Sequence, residues 1–352
     1  MKDAVESRGT ESEKQGAAGN AKGNAVWKYW KEGYGKGMKT RIFIDGSEGT
    51  TGLRIFERFG GRDDIEILPI RAELRKDAAE RKRLINEADV VFLCLPDAAA
   101  KESVGLVENG DVTVIDASTA HRTEEGWAYG FPELSTAHRE AVRNSKRIAV
   151  PGCYASGFIA AVYPLVAGGI LPGDYPVSAF AVSGYSGAGK KTIAVYESGE
   201  RDRELDAPRE YALSQNHKHL NEMKKITGLA RTPLFSPVIC DYYSGMLLTV
   251  PLYTDLLAGS HTPEGVHAFL ENYYAGERFI RVMPFGKEAE YNGFLAGNSC
   301  AGWDGMEIYV TGNEERVLVS TRFDNLGKGA SGAAIQCLNL VLGCDEWKGL
   351  HV

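Results

Sequence analysis

Thr40-Arg41-Ile42-Phe43-Ile44-Asp45-Gly46-Ser47-Glu48-Gly49-Thr50-Thr51-Gly52 is the stretch on which the fold turns. Its first six residues read as a buried strand, and residues 53–59 continue with helical spacing. Between strand and helix stand three glycines, each three residues after the last. That arrangement permits a tight turn and lets a pyrophosphate approach a helix N-terminus, where unpaired N–H groups and the helix dipole favour an anion. The spacing departs from Gly-x-Gly-x-x-Gly, and an ordinary strand–helix turn is the competing reading. Gly46, Gly49, Thr50, Thr51 and Gly52 are the candidate nucleotide-binding residues.

Further along, residues 65–70, 89–96, 113–116 and 147–150 read as buried strands, and residues 97–108 as a helix. Strands alternating with helices from Thr40 to Val150 predict a doubly wound parallel sheet, an α/β Rossmann-type fold. Ligands of such sheets bind beyond the carboxyl ends of the strands, where Gly46, Ser118, Arg122 and Cys153 all fall. The second strand ends at Arg71. A site for NAD usually places an acid there, and an arginine suits a 2′-phosphate, so NADP is the expected cofactor and Arg71 its selector. Glu73 stands close by, and a solvated surface arginine is the bland alternative.

The stretch Val150-Pro151-Gly152-Cys153-Tyr154-Ala155-Ser156-Gly157 puts a cysteine where a strand ends and a helix over residues 154–166 begins. A helix N-terminus favours thiolate over thiol, and its N–H groups can hold an oxyanion. Most free cysteines merely pack. Cys153 differs in its company: a nucleotide loop, and the segment Gln215-Asn216-His217-Lys218-His219-Leu220 ahead of a short helix at residues 221–227. Cysteine, histidine and nicotinamide together suggest attack of a thiolate on an activated acyl group, then reduction of the thioester, with histidine moving the proton. His219 is preferred over His217 as the acid/base, because it lies nearer the helix start.

The remaining half reads as α+β with a mostly antiparallel sheet. Residues 177–183, 234–238, 245–250 and 317–321 are its strands, and residues 184–191 form a flexible basic loop. The loop at residues 323–332 opens a last helix at residues 333–342.

A chain of 352 residues with an apolar share of 43% can bury a large core and fits two domains. A net charge of −7 gives no nucleic-acid footprint, and no apolar run approaches the ~18 residues of a membrane span. Six cysteines with no Cys-x-x-Cys pair indicate a reducing compartment, the cytoplasm, and neither a disulfide framework nor a zinc site. Residues 1–37 are Lys-, Glu-, Gly- and Ala-rich without apolar periodicity and read as a disordered extension. The expected organisation is a nucleotide-binding domain at residues 38–153, completed by a C-terminal helical segment at residues 325–352, with a catalytic and oligomerisation domain at residues 154–324.

Taken in order, Ile44-Asp45-Gly46-x-x-Gly49-Thr50-Thr51-Gly52, Val150-Pro151-Gly152-Cys153-Tyr154-Ala155, Ser183-Gly184-Tyr185-Ser186-Gly187-Ala188-Gly189, His217-Lys218-His219 and Asp324-Asn325-Leu326-x-Lys328-Gly329-Ala330 resemble the N-acetyl-γ-glutamyl-phosphate reductases, the shorter of the two types. The resemblance runs from Met38 nearly to the end. It implies an NADP-binding Rossmann domain, a second domain like that of glyceraldehyde-3-phosphate dehydrogenase, and a homodimer or homotetramer in arginine biosynthesis. It also implies NADPH reduction of an acyl phosphate, N-acetylglutamyl 5-phosphate, to the 5-semialdehyde. By that resemblance Cys153 is the nucleophile, with His219 and His217 beside it. Ser118, Arg122, Ser183 and Lys190 lie near substrate, and Gly187 and Asn325 near the cofactor. One position departs: Asn221 precedes Glu222 where the family usually has Pro. Aspartate-β-semialdehyde dehydrogenase is the nearest rival, but it usually carries Asn after the cysteine, where this chain has Tyr154. A nucleotide-binding sensor without chemistry would lack the Cys or the His.

Overall fold

The computed structural model describes residues 39–352; the expected extension at residues 1–37 lies outside them. The strand Thr40–Asp45 (β1) is followed by the helix Thr50–Phe59 (α1). Ile65–Ile67 (β2), Ala78–Glu87 (α2), Val90–Leu93 (β3), Asp97–Gly105 (α3), Thr113–Asp116 (β4), Ala128–Tyr129 (β5), Thr136–Asn144 (α4) and Arg147–Ala149 (β6) complete the first layer set. These strands form a six-stranded sheet in the order β2-β1-β3-β4-β6-β5, and every pair with a stated register is parallel.

The glycine loop follows β1 directly. Gly46 has φ +89°, and a Cβ there would collide with the Cys94 carbonyl oxygen. Only glycine lets β1 turn so tightly against the end of β3. β2 is shorter than its apolar run suggests. Leu68 still donates its N–H to the Ile42 carbonyl (2.8 Å), but Pro69 has none to give, so the ladder stops.

The second half begins with Cys153–Ala167 (α5), which is buried nearly all round. Pro164 sits inside it and removes the donor for the Ala160 carbonyl. The Tyr274 hydroxyl donates there instead, at 2.9 Å. Ser178–Gly184 (β7), Lys190–Tyr196 (α6), Arg209–Glu210 (β8), Leu220–Thr227 (α7), Leu234–Cys240 (β9), Met246–Tyr253 (β10), Pro263–Tyr273 (α8), Ile280–Val282 (β11), Met306–Asn313 (β12) and Arg316–Phe323 (β13) follow. Their sheet runs β11-β12-β13-β10-β7-β9-β8 and is antiparallel at four of its six pairings; β11·β12 and β7·β9 are parallel. One face packs on α5: Ala179, Ala181, Leu248, Val250 and Val319 share a core with Phe158, Ile159 and Val162.

The chain then returns to the first sheet. A single π-helical turn, Gly327–Ser331, opens the helix Gly332–Leu342 (α9). Ala333, Ile335, Leu338 and Leu340 of α9 pack in one core with Ile42, Ile44, Ile55 and Phe92. Its anchor is a buried cation: Lys328 Nζ bonds Glu133 Oε1 (2.6 Å) and Gln336 Oε1 (2.7 Å). No helix among the described residues is long and apolar enough to cross a membrane.

Candidate active site

Cys153 is itself the first residue of α5, one position earlier than the apolar pattern predicts. The strand β6 ends at Ala149, so residues 150–152 form the turn that aims the sulfur. The structure qualifies the expectation of a lowered thiol pKa. Burial raises it, and the Tyr154 backbone N–H, then the cations Arg122 and Lys218, oppose that rise only in part. At rest the group is a thiol that needs a base.

A histidine stands beside the Gly152 peptide that precedes Cys153. His219 is buried and stands as the residue just before α7. Gly152 lacks a Cβ for a local reason: one there would collide with His219 Nε2 and Arg122 Nη1. Gly329 approaches from the π-helical turn, where a Cβ would lie 3.0 Å from that of Cys153. Burial, then Arg122 and His217, push the His219 pKa well below the usual histidine value. The imidazole is therefore neutral, chiefly through burial. Its Nδ1 is buried without a hydrogen-bond partner. His217 is differently used. Its Nδ1 accepts the His219 backbone N–H (3.1 Å), and Tyr154, Tyr211 and Phe235 enclose its ring at centroid distances of 5.6, 5.8 and 5.3 Å. Its pKa falls to about 4, chiefly by burial.

Glu222 joins these parts, and the sequence reading passed it over. Its carboxylate is buried and accepts from Arg122 Nη1 (2.7 Å), the Tyr129 hydroxyl (2.8 Å) and the Gly152 N–H (3.1 Å). The signal was available: it lies three residues after His219, one turn along the same helix. Glu222 thus ties the histidine helix to the peptide just ahead of Cys153. Arg122, expected near substrate, is buried in the structure. It spends Nε on the Val150 carbonyl (2.8 Å), Nη1 on Glu222 and Nη2 on the Ala117 carbonyl (3.1 Å). It is a buried charge that biases Cys153 and His219.

Ser118 sits beyond β4, where its N–H and hydroxyl both donate to Asp116 (2.8 and 2.7 Å). His121 Nδ1 meets the same carboxylate at 2.6 Å, with its ring stacked on Trp127. Asp116 therefore shapes the turn that ends at Arg122. Ser183 is buried at the end of β7, and Lys190 is exposed at the start of α6. Asn325 is buried: it donates to Ser186 Oγ (3.0 Å) and accepts the Gly245 N–H (2.8 Å), with Gly187 beside it. It braces the 185–188 turn against β10.

The nucleotide cleft lies at the carboxyl end of β1, on the same edge of the sheet from which Ser118 and Cys153 emerge. Gly49 precedes α1, and Thr50, Thr51 and Gly52 form its first turn, which carries no acidic side chain. Their N–H groups are the unpaired ones of a helix start, so the loop fits a pyrophosphate. A cavity of about 210 Å³ is lined by Asp45 to Gly49, Ile70, Arg75, Cys94 and Leu95. Arg71 is not in it. Its side chain is 75% exposed, with Glu73 at 3.8 Å as its ion-pair partner, because the chain turns through a 3-10 segment at Ala72–Leu74. The arginine that reaches the cleft is Arg75.

Comparison with known proteins separates the two closest readings. Residues 43–144 match the family "Semialdehyde dehydrogenase, NAD binding domain" and residues 153–325 the family "Semialdehyde dehydrogenase, dimerisation domain". A protein of Nostoc sp. named N-acetyl-gamma-glutamyl-phosphate reductase 2 is 46% identical over 320 residues, covering 89% of this chain and 99% of its own length. The chain belongs to the N-acetyl-γ-glutamyl-phosphate reductase family. The reductase of Sinorhizobium medicae is 45% identical over 309 residues, 87% of this chain and 99% of its own. Aspartate semialdehyde dehydrogenase II of Vibrio cholerae, in complex with ASA, superposes with a TM-score of 0.64 at 16% identity, covering 87% of this chain and 99% of its own. The Candida albicans enzyme with NADP gives 0.58 at 16% identity over the same shares. These two likenesses establish the shared fold of the reductases and dehydrogenases, and the sequence relatives establish the branch.

Proposed function

We propose that the chain reduces N-acetylglutamyl 5-phosphate to N-acetylglutamate 5-semialdehyde, using NADPH and releasing phosphate, as a step of arginine biosynthesis in the cytoplasm. The observation that carries the chemistry is the junction at Gly152: the nucleophile's helix start, a buried neutral imidazole and a buried guanidinium meet where only glycine fits. His219 takes the proton of the Cys153 thiol at Nε2. The sulfur forms a thioester with the acyl group and the C–O bond to phosphate breaks. Gly46, Gly49, Thr50, Thr51 and Gly52 hold the cofactor pyrophosphate, and Asn325 and Gly187 hold the loop beside it. Bound NADPH supplies the electron pair that reduces the thioester carbonyl. His219 holds the proton needed as the aldehyde leaves and the thiol is restored. Glu222 fixes the Gly152 peptide throughout, and His217 supports His219 from behind. Ser118, Ser183 and Lys190 are the proposed substrate contacts, with Arg122 supplying charge from beneath.

A homodimer or homotetramer is part of the same proposal. Phe180, Leu234, Tyr253 and Leu318 are exposed on one face of the seven-stranded sheet, opposite the face that packs on α5. An uncovered apolar sheet face of this kind suits a second copy.

The test runs the reaction backwards: phosphate-dependent reduction of NADP with N-acetylglutamate semialdehyde, beside aspartate semialdehyde. Turnover with the acetylated substrate alone is expected. Equal or better turnover of aspartate semialdehyde refutes the substrate assignment.

A further inference from the structure

Three charged groups line the nucleotide cleft, Asp45, Glu48 and Arg75, and their pairing leaves Arg75 with N–H donors unengaged. Asp45 is already neutralised: its Oδ2 accepts from Arg81 Nε (3.2 Å), Arg81 Nη2 (3.1 Å) and Ser103 Oγ (2.8 Å). Glu48, inside the glycine loop, stands where it would repel a nucleotide phosphate. Arg75 Nη1 meets its Oε1 at 2.6 Å. Arg75 Nε is shielded from solvent and has no partner. The guanidinium thus has donors to spare in a cleft already fitted to a dinucleotide. A buried, unpaired donor is costly unless something accepts from it.

The geometry points to Arg75 as the residue that binds the 2′-phosphate of NADPH, with Glu48 holding its guanidinium at the cleft edge. After β2 the chain passes the usual position for an NAD-selecting acid. The one acid of that segment, Glu73, is 66% exposed and 3.8 Å from Arg71, outside the cleft. The 3-10 turn Ala72–Leu74 then delivers Arg75 opposite the glycine loop, beside Ile70. A planar fork matches a phosphate dianion through two parallel N–H donors, which suits this geometry to NADPH over NADH.

The inference rests on the nucleotide assignment above but is tested without turnover. NADPH and NADH are titrated against the full chain by calorimetry, with adenosine 2′,5′-bisphosphate as a competitor. Arg75→Gln should raise the Kd for NADPH about 10- to 100-fold, the usual loss for a charge-assisted bond, and leave NADH within about twofold. Retained NADH binding shows that the variant is folded. Arg75→Lys, which keeps the charge but loses the fork, should fall between. Arg71→Gln should change neither. Equal weakening of both cofactors in Arg75→Gln, or a selective loss of NADPH in Arg71→Gln, overturns the assignment. A selective loss in Arg75→Gln supports it even if the wild-type chain fails to turn over the acetylated substrate, which would count against the reductase reading alone.

Discussion

Replacing Glu222 by Gln isolates what a single buried carboxylate contributes to both fold and chemistry. Glu222 accepts from three donors, Arg122, Tyr129 and the Gly152 N–H. Glutamine keeps the volume but turns one acceptor into a donor. In the cheapest arrangement Oε1 stays on Arg122, and the new NH2 donates to the Tyr129 oxygen, whose hydroxyl can reverse its role. The Gly152 N–H is then stranded. An unsatisfied buried N–H costs about 1–3 kcal/mol, and a charge-assisted bond becoming neutral about 1 kcal/mol more. The variant should lose about 2–4 kcal/mol, read in urea as a lower midpoint at unchanged slope. Glu222→Leu should lose about 3–5 kcal/mol, because it leaves the Arg122 charge buried without a partner. The double variant Arg122→Met/Glu222→Leu should regain only the part due to the unpaired charge, since the Gly152 N–H and the Tyr129 hydroxyl stay without their acceptor. Activity behaves differently. The Gly152 peptide aims Cys153, and a shift of about 1 Å at a reacting atom costs roughly 10²-fold. Turnover should drop by about that factor in Glu222→Gln and stay low in the double variant, while NADPH affinity holds. Full turnover in the double variant, or a loss below about 1 kcal/mol in Glu222→Gln, would show that Glu222 neither aims the nucleophile nor anchors Arg122.

Two further outcomes follow from the same site. Cys153→Ala should abolish both turnover and acylation with NADPH binding intact. His219→Asn should lower turnover by ~10²–10⁴, with His217→Asn doing less; a reversed order in steady-state assays would swap the two imidazoles' roles. The folded pKa of His217, about 4, lies below its unfolded value of about 6.5, so folding excludes a proton between them. The stability from keeping it neutral is present above about pH 6.5 and fades as pH falls toward 4. Comparing melting temperatures of wild type and His217→Asn from pH 7 to 4 should show the wild-type advantage shrinking on the acid side; a constant difference would refute the burial argument.

The strands β1, β3, β4 and β6 were legible because a parallel sheet covered on both faces needs unbroken apolar runs, and the chain alternates them with helices. The glycine loop was legible because a positive φ at Gly46 leaves a residue type behind as its mark. Cys153 was legible because a strand end, a proline, a glycine and a helical pattern meet at that point. Local chemistry writes such features into consecutive residues. The partners of Arg122 and the reach of Arg75 into the cleft are written nowhere locally. Glu222 lies 100 residues from Arg122, 93 from Tyr129 and 70 from Gly152. Whether a guanidinium binds phosphate or a buried carboxylate depends on which distant side chain reaches it first when water is excluded. Burial likewise raised the thiol that the helix start alone would have lowered. The sequence by itself determined the sheet, the loop and the cysteine at the helix start, since each is a property of a few adjacent residues. Only the tertiary structure decided the charges around them, because desolvation and pairing across long loops exist only once the chain has closed.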